Sequence, residues 1–349
     1  MKPPGTNDDK SEITSDLDHP ATRSVQSSLE RPRAGSGRRG VVLRRSGRAV
    51  SGRWNGFGKG SAMTAVITVG AVEPTGIVPD SAALRLPDDA DAFLAGAERA
   101  LDEHGAAVVV HPAWHADAAV RLVRRARALL DTDRVAAVGV DLPPLAFSVV
   151  ADQLAFVAPH VPPGALACLP GVLAARVVAG ARVRSVARLE HVRTGLRQHV
   201  ASYLPGSAFV VLAGAEPGVH RVTAARPVPE PPRRPLEPVL LLASADGPDA
   251  AWADERLAPA LRAASVTSVP AQPLADAYWG VRGHAEFAAF SGHPDDLSRA
   301  LAVLRCAPCP WCGAEVAGPR CPFCGMARPA AAEPATAETP SSPPRNGAP

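Results

Sequence analysis

A chain of 349 residues with 46% hydrophobic content has room for one large domain or two ordinary ones, and its 4% aromatic content means a core built mainly from Ala, Val and Leu. No apolar run approaches the length that spans a bilayer, and the polar N-terminus lacks the apolar h-region of a secretory signal. The net charge of +3 is unevenly placed: residues 1–62 hold twelve basic against six acidic residues, so the remainder carries a net −3, which weakens a nucleic-acid reading.

Residues 1–62 are rich in Ser, Gly and Arg, have no hydrophobic periodicity and read as disordered. Arg38-Arg39 and Arg44-Arg45 enclose only Val41-Val42-Leu43, too short a core for a twin-arginine signal. All three lysines fall before residue 60, and the chain from Met63 onward uses arginine alone, as a GC-rich coding sequence would. Met63 is therefore the expected start, with residues 1–62 a translated leader; a genuine basic tail is the plainer alternative.

From Met63 the pattern becomes regular. Ala65–Val72 predicts a buried strand ended by Glu73-Pro74, and Asp91–His104 predicts a helix with Gly105 at its C-cap. Ala106–Val110 is a second strand and Asp117–Leu130 an amphipathic helix with its arginines outward. Val135–Val140 is a third strand. Leu145–Ala158 and Leu166–Ala179 are apolar without a distinguishing period, and Ser185–Tyr203 predicts a helix. Phe209–Ala213 and an edge strand Val219–Thr223 follow, and then the proline-dense 226–238, which reads as a stiff linker. Beyond it come strand Val239–Ala243, helix Ala250–Ala264, strands Val266–Val269 and Glu286–Phe290, and helix Asp295–Leu304. Apolar strands alternating with helices predict an α/β fold with a mostly parallel sheet, flanking helices and a smaller second α/β unit. The expected divisions are 63–225, the linker 226–238, 239–305, a cysteine module 306–326 and a disordered tail 327–349.

That module contains Cys309-Pro-Trp-Cys312-Gly and Cys321-Pro-Phe-Cys324-Gly. Two thiolates two residues apart point at one ion, and a second pair completes a tetrahedral S₄ set suited to Zn²⁺, with iron the lesser alternative. Each following Gly permits the tight turn around the metal. The double pattern resembles the zinc-ribbon family over residues 306–326, which implies a structural Zn²⁺ and a docking role towards protein, with nucleic acid less favoured. Cys306 lacks the Pro/Gly signature and reads as a free thiol, and Cys168 as a core residue. Six cysteines used this way fit a reducing compartment, hence the cytoplasm.

A second set of candidates is geometric. Ligands bind outside the carboxyl ends of parallel strands, and Glu73, His111, Asp141, Glu216 and Asp246 each follow a predicted strand. His111, His115 and Asp141 form the densest group and supply an imidazole–carboxylate set for acid–base work or a metal. His284 and Glu286, near Tyr278 and Trp279, are a weaker group of the same kind. Arg184/Arg188 and Arg193/Arg197 would form a phosphate-contacting stripe on a helix, although a solvated face explains them more simply. Walker A, G-x-S-x-G and G-x-G-x-x-G patterns in their required contexts are absent. The function expected from these residues is a non-catalytic binding or assembly protein that presents Trp311 and Phe323 to a protein partner. The alternative is an α/β enzyme working through His111, His115 and Asp141.

Overall fold

The computed structural model describes residues 63–70, 72–78, 83–223, 228–244 and 251–328, all within the unit Gly40–Pro349. The expectations placed on residues 1–62, on Asp246 and on residues 329–349 lie outside the described residues. Strands β1 (Thr64–Val69), β2 (Leu84–Leu86), β3 (Ala106–Pro112) and β4 (Val135–Val140) form a parallel sheet in the order β2-β1-β3-β4. Helices α1 (Ala90–His104) and α2 (Ala116–Leu129) bury Phe93, Ala97, Ala100, Leu122, Val123 and Ala126 against one face of it. α1 starts at Asp89, whose carboxylate accepts from the amides of Asp91 and Ala92, and ends at Gly105 with φ 74°.

The opposite face is covered by α3 (Pro144–Val157) and α4 (Pro163–Ala174). α3 is buried along most of its length, with Phe156 near its end exposed, because a second sheet packs across it. A helix enclosed in this way has no polar face, which is why its sequence carries no 3.6-residue signal.

The second sheet contains β5 (Val178–Val183), β6 (Ala208–Ala213), β7 (Gly218–Val222), β8 (Val239–Ser244), β9 (Ala263–Ser268) and β10 (Ala285–Ser291), in the order β7-β6-β5-β10-β8-β9. Only β8 and β9 are parallel, so the parallel character expected of the whole belongs to the first sheet and not to this one. Strands from both sides of 226–238 share the sheet, so this proline-rich stretch joins two parts of one layer instead of separating two units. Leu257 and Leu261, from the π-turn Ala253–Leu257 and from α6 (Ala258–Leu261), cover the outer face.

The helix expected over Ser185–Tyr203 is largely replaced by an irregular loop of turns and bends. Val186 and Val192 insert into the core beside the second sheet, and only α5 (Leu196–Ala201) is helical. Two further short helices, α7 (Ala275–Trp279) and α8 (Asp296–Ala302), flank β10. No helix among the described residues is long and apolar enough to cross a membrane.

The C-terminal module, with β11 (Ala307–Pro308) paired to β12 (Glu315–Val316), packs directly on α4. Cys168 on α4 donates to the carbonyl of Ala317 at 3.0 Å, and the Ala317 amide donates back to its sulfur at 3.2 Å. At Gly164 a Cβ would collide with the carbonyl oxygen of Glu315. Gly164→Val is therefore expected to lift β12 from α4 and cost about 1–3 kcal/mol, read as a lowered thermal midpoint. A midpoint equal to wild type would show that the two backbones do not need this approach.

Candidate functional site

Two sites emerge, and neither is the strand-end triad expected from the sequence. His111 sits on β3 beside Gly139 of β4, buried, with its Nδ1 3.2 Å from its neighbour's carbonyl at Pro112. Burial holds its pKa below the ordinary histidine value. His115 is exposed at the start of α2, and Asp141 is exposed after β4. Among the described residues no hydrogen bond or ion pair joins any two of the three. The structure shows His111 buried within the sheet and His115 and Asp141 exposed at its edge, so the expected acid–base set is not seen as a bonded group. Of the other strand-end residues, Glu216 pairs with Arg233 at 3.1 Å. Glu73 is fixed through its backbone: its amide donates to Gln272 Oε1 at 2.9 Å, and Gln272 Nε2 donates to its carbonyl at 3.2 Å.

The first observed site is a lateral cleft of about 1210 Å³ between the loop after β5 and the segment around α7. Arg184, Arg188 and Arg282 supply its positive charge, and Glu190 and Asp276 its negative charge. Leu189, Val281 and Tyr203 contribute apolar surface. The two walls meet tightly: Gly280, at φ 64°, has no room for a Cβ because the Arg188 carbonyl lies against it. Behind the cleft, His191 stacks on Tyr278 with ring centroids 4.5 Å apart at 15°, and Trp114 closes on both at 5.4 and 5.1 Å. Trp114 is anchored by its indole N–H, which donates to the Leu142 carbonyl at 3.0 Å. Tyr278 and Trp279 are core residues, and burial raises the Tyr278 hydroxyl pKa, aided by the charges of Asp141 and Glu286. His284 is held low by burial, with Nδ1 3.4 Å from Asp276 Oδ1.

Arg184 and Arg188 were legible as a basic pair, but on a helix face. The structure instead brings them to the cleft on an irregular, turn-containing loop. The glycine-flanked loop around Tyr278 and Trp279 was legible as a weak candidate surface, but its nearness to Arg188 was not, because that arises from sheet topology.

The second site is the cysteine module. The sulfurs of Cys309, Cys312, Cys321 and Cys324 lie within 4.8 Å of one another, with 3.7 Å between Cys309 and Cys324 and 3.6 Å between Cys312 and Cys321. A tetrahedron of metal–sulfur bonds near 2.3 Å has edges of about 3.8 Å, so the set fits a single ion. Both hairpins repeat one geometry. The amides of Gly313 and Gly325 each donate to the carbonyl of the leading cysteine at 2.9 Å, at φ 73° and 76°. Backbone amides of Cys312 and Trp311 bring the Cys309 thiol down to about 7. Cys306 stands outside the cluster, its thiol pKa raised by burial.

The cluster faces inward. Cys309, Cys321, Val316 and Phe323 belong to the core shared with α3 and α4, and Phe323 is 5% exposed against 67% for Trp311. The expected display of Phe323 to a partner is therefore wrong, because that ring fills the seam between the module and the body.

These features define a two-sheet α/β protein with a lateral cleft and a four-cysteine cluster able to hold a metal. No protein-family model and no curated protein matches the chain. Solved structures of DegV-family proteins resemble it. A DegV family protein from Corynebacterium glutamicum is 14% identical with a TM-score of 0.47, covering 66% of this chain and 98% of its own. A fatty-acid-binding DegV family protein from Thermus thermophilus is 14% identical with a TM-score of 0.49, covering 66% and 99%. DegV from Bacillus subtilis, also a fatty acid binding protein, is 11% identical with a TM-score of 0.41, covering 66% and 100%. The likeness is one of fold. The assembly role centred on the cysteines is corrected on the packing: Cys309, Val316, Cys321 and Phe323 of the module are part of the body's own core.

Proposed function

We propose that this protein binds a small amphiphile with an anionic head in the lateral cleft. The observation that carries the reading is the lining itself, in which Arg184, Arg188 and Arg282 stand beside Leu189, Val281 and Tyr203 in one recess of about 1210 Å³. Guanidinium groups take carboxylate or phosphate oxygens in pairs, and the apolar wall accepts an alkyl chain. Fatty acids, the ligands of the Thermus and Bacillus proteins, are the natural first probes.

Titration calorimetry with dodecanoate is expected to give saturable binding, one ligand per chain. The double variant Arg188→Glu/Arg282→Glu is expected to weaken it about tenfold or more, since each reversed charge opposes the head. Saturable binding that the double variant leaves unchanged, or no binding of dodecanoate or dodecyl phosphate, would refute the reading.

We further propose that Cys309, Cys312, Cys321 and Cys324 hold one Zn²⁺ in a ribbon-like module with a structural role. Four thiolate donors leave no open position for substrate, and the burial of Cys309 and Cys321 supports a staple between the module and α4.

A further inference from the structure

Glu286 is the most deeply buried charged residue of the inter-sheet layer, with 0% exposure. It lies on the face of β10 that meets α3, and its Oε1 accepts from the Leu145 amide in the first turn of that helix at 2.9 Å. Its other oxygen, Oε2, is buried without a hydrogen-bond partner. Two more buried atoms nearby share that condition: Trp279 Nε1 on α7 and Ser244 Oγ on β8. Ser244 is the cross-strand neighbour of Glu286, so both side chains stand on one face within mutual reach. Trp279 lies against the carboxyl from the other side and favours its ionised form.

The three atoms have complementary chemistry. An indole N–H only donates, a carboxylate oxygen only accepts, and a hydroxyl does either. Buried groups of this kind cost free energy until they pair, and one proton decides which pairing is available. We propose that Glu286 is a proton-operated latch that exchanges partners. Protonated, its Oε2 hydroxyl donates to Ser244 Oγ on β8; ionised, Oε2 accepts from Trp279 Nε1 on α7. Because α7 leads into Gly280 and Val281, the exchange moves one wall of the cleft. That last coupling rests on the amphiphile reading, whereas the latch does not.

The electrostatics fit this assignment. Burial pushes the Glu286 carboxyl up to about 8, against the opposing pull of the Leu145 amide and the Trp279 indole. Tyr278 and Asp141 are the titratable groups on the α7 and β4 sides, and the charges of Asp141 and Glu286 both help to raise the Tyr278 hydroxyl pKa. On β8 the facing group is the uncharged Ser244, and on β5 it is Ala181. Arg182, next to Ala181, stands on the opposite face of the sheet over the Trp252 ring. With its folded pKa raised, Glu286 keeps a proton that the unfolded chain has already released. Its contribution to stability is thus present at low pH and declines as pH rises from the ordinary carboxylate range through about 8.

The test follows the indole N–H resonance of Trp279 in the full chain between pH 6 and 10, assigned by its loss in Trp279→Phe. In wild type it is expected to shift with a midpoint near 8. In Glu286→Gln, which keeps the shape and cannot ionise, it is expected to stay flat. Ser244→Ala removes the partner of the protonated form and is expected to lower the midpoint. Binding of dodecanesulfonate, whose head does not titrate in this range, is expected to change by about fivefold or more across the same interval in wild type and to be constant in Glu286→Gln. A flat wild-type resonance, or an identical titration in Glu286→Gln, overturns the latch. An indole that titrates while the probe fails to bind at any pH supports the latch and counts against the cleft reading. Binding of unchanging affinity overturns the coupling between them.

Discussion

Asp152→Ala is expected to lower the stability of the protein by about 3 kcal/mol, the lower end for breaking a buried pair, and its thermal midpoint by roughly 10 °C. The carboxylate stands on α3 at 2% exposure and gathers three donors from the other side of the inter-sheet layer. Oδ1 takes Arg85 Nη2 at 2.8 Å, and Oδ2 takes the Thr75 amide at 3.0 Å and its hydroxyl at 2.8 Å. Arg85 also reaches Ser148 Oγ and the carbonyls of Val72 and Ala83, while Ser148 Oγ donates to the Glu73 carbonyl. Removing Asp152 therefore strands a largely buried guanidinium and an amide together. Asp152→Asn keeps the shape and part of the hydrogen bonding and is expected to cost less than Asp152→Ala. Circular dichroism melts of the two variants check the order; equal midpoints for all three proteins would show that the network contributes nothing net.

Replacing Cys309 and Cys321 together by Ser is expected to abolish metal binding and to remove more stability than any other change considered. Zinc held by four thiolates contributes on the order of 10 kcal/mol to the folding of small modules. Here part of the body shares that contribution, because Val316 and Phe323 pack into the same core as Leu166, Leu169 and Leu173 of α4. Elemental analysis of the purified wild-type chain is expected to give one zinc and no iron per molecule. The double variant is expected to contain neither metal and to melt at least about 10 °C lower. Cys306→Ser is expected to leave the metal content at one, since its sulfur lies outside the cluster. A wild-type chain without metal, or a double variant that melts with wild type, would sink the structural role.

Whether an element could be read from the sequence depended on how it is buried. α1 and α2 each turn one stripe to the sheet and another to water, so both were visible along with their ends, and the αL glycine after α1 was placed correctly. β1, β3 and β4 appeared as apolar runs because both faces are covered. α3 and α4 were ambiguous for the same reason that strands were plain: a segment buried along most of its faces loses its period. The stretch 185–195 was misread as helix, with Arg184/Arg188 and Arg193/Arg197 at i,i+4 spacing. Val186 and Val192 instead pack inward beside Tyr278 and Trp279 from an irregular loop.

The candidate sites divide along the same line. A metal site made from two local hairpins is written in local spacing, and the structure brings all four sulfurs of Cys309, Cys312, Cys321 and Cys324 together. The cleft joins residues 184–190 to residues 276–282, and the buried latch joins Ser244, Trp279 and Glu286. Contacts so distant in the chain follow from strand order, with β10 inserted between β5 and β8. By itself the sequence determined the α/β class, strands β1, β3 and β4 with helices α1 and α2, and the composition of the cysteine cluster, since each depends on neighbours a few residues apart. Only the tertiary structure decided that Phe323 faces inward, that His111 is buried while Asp141 is exposed, and that arginines of a loop meet the α7 segment. Those outcomes depend on which surfaces are left to pack once the two sheets have closed on α3.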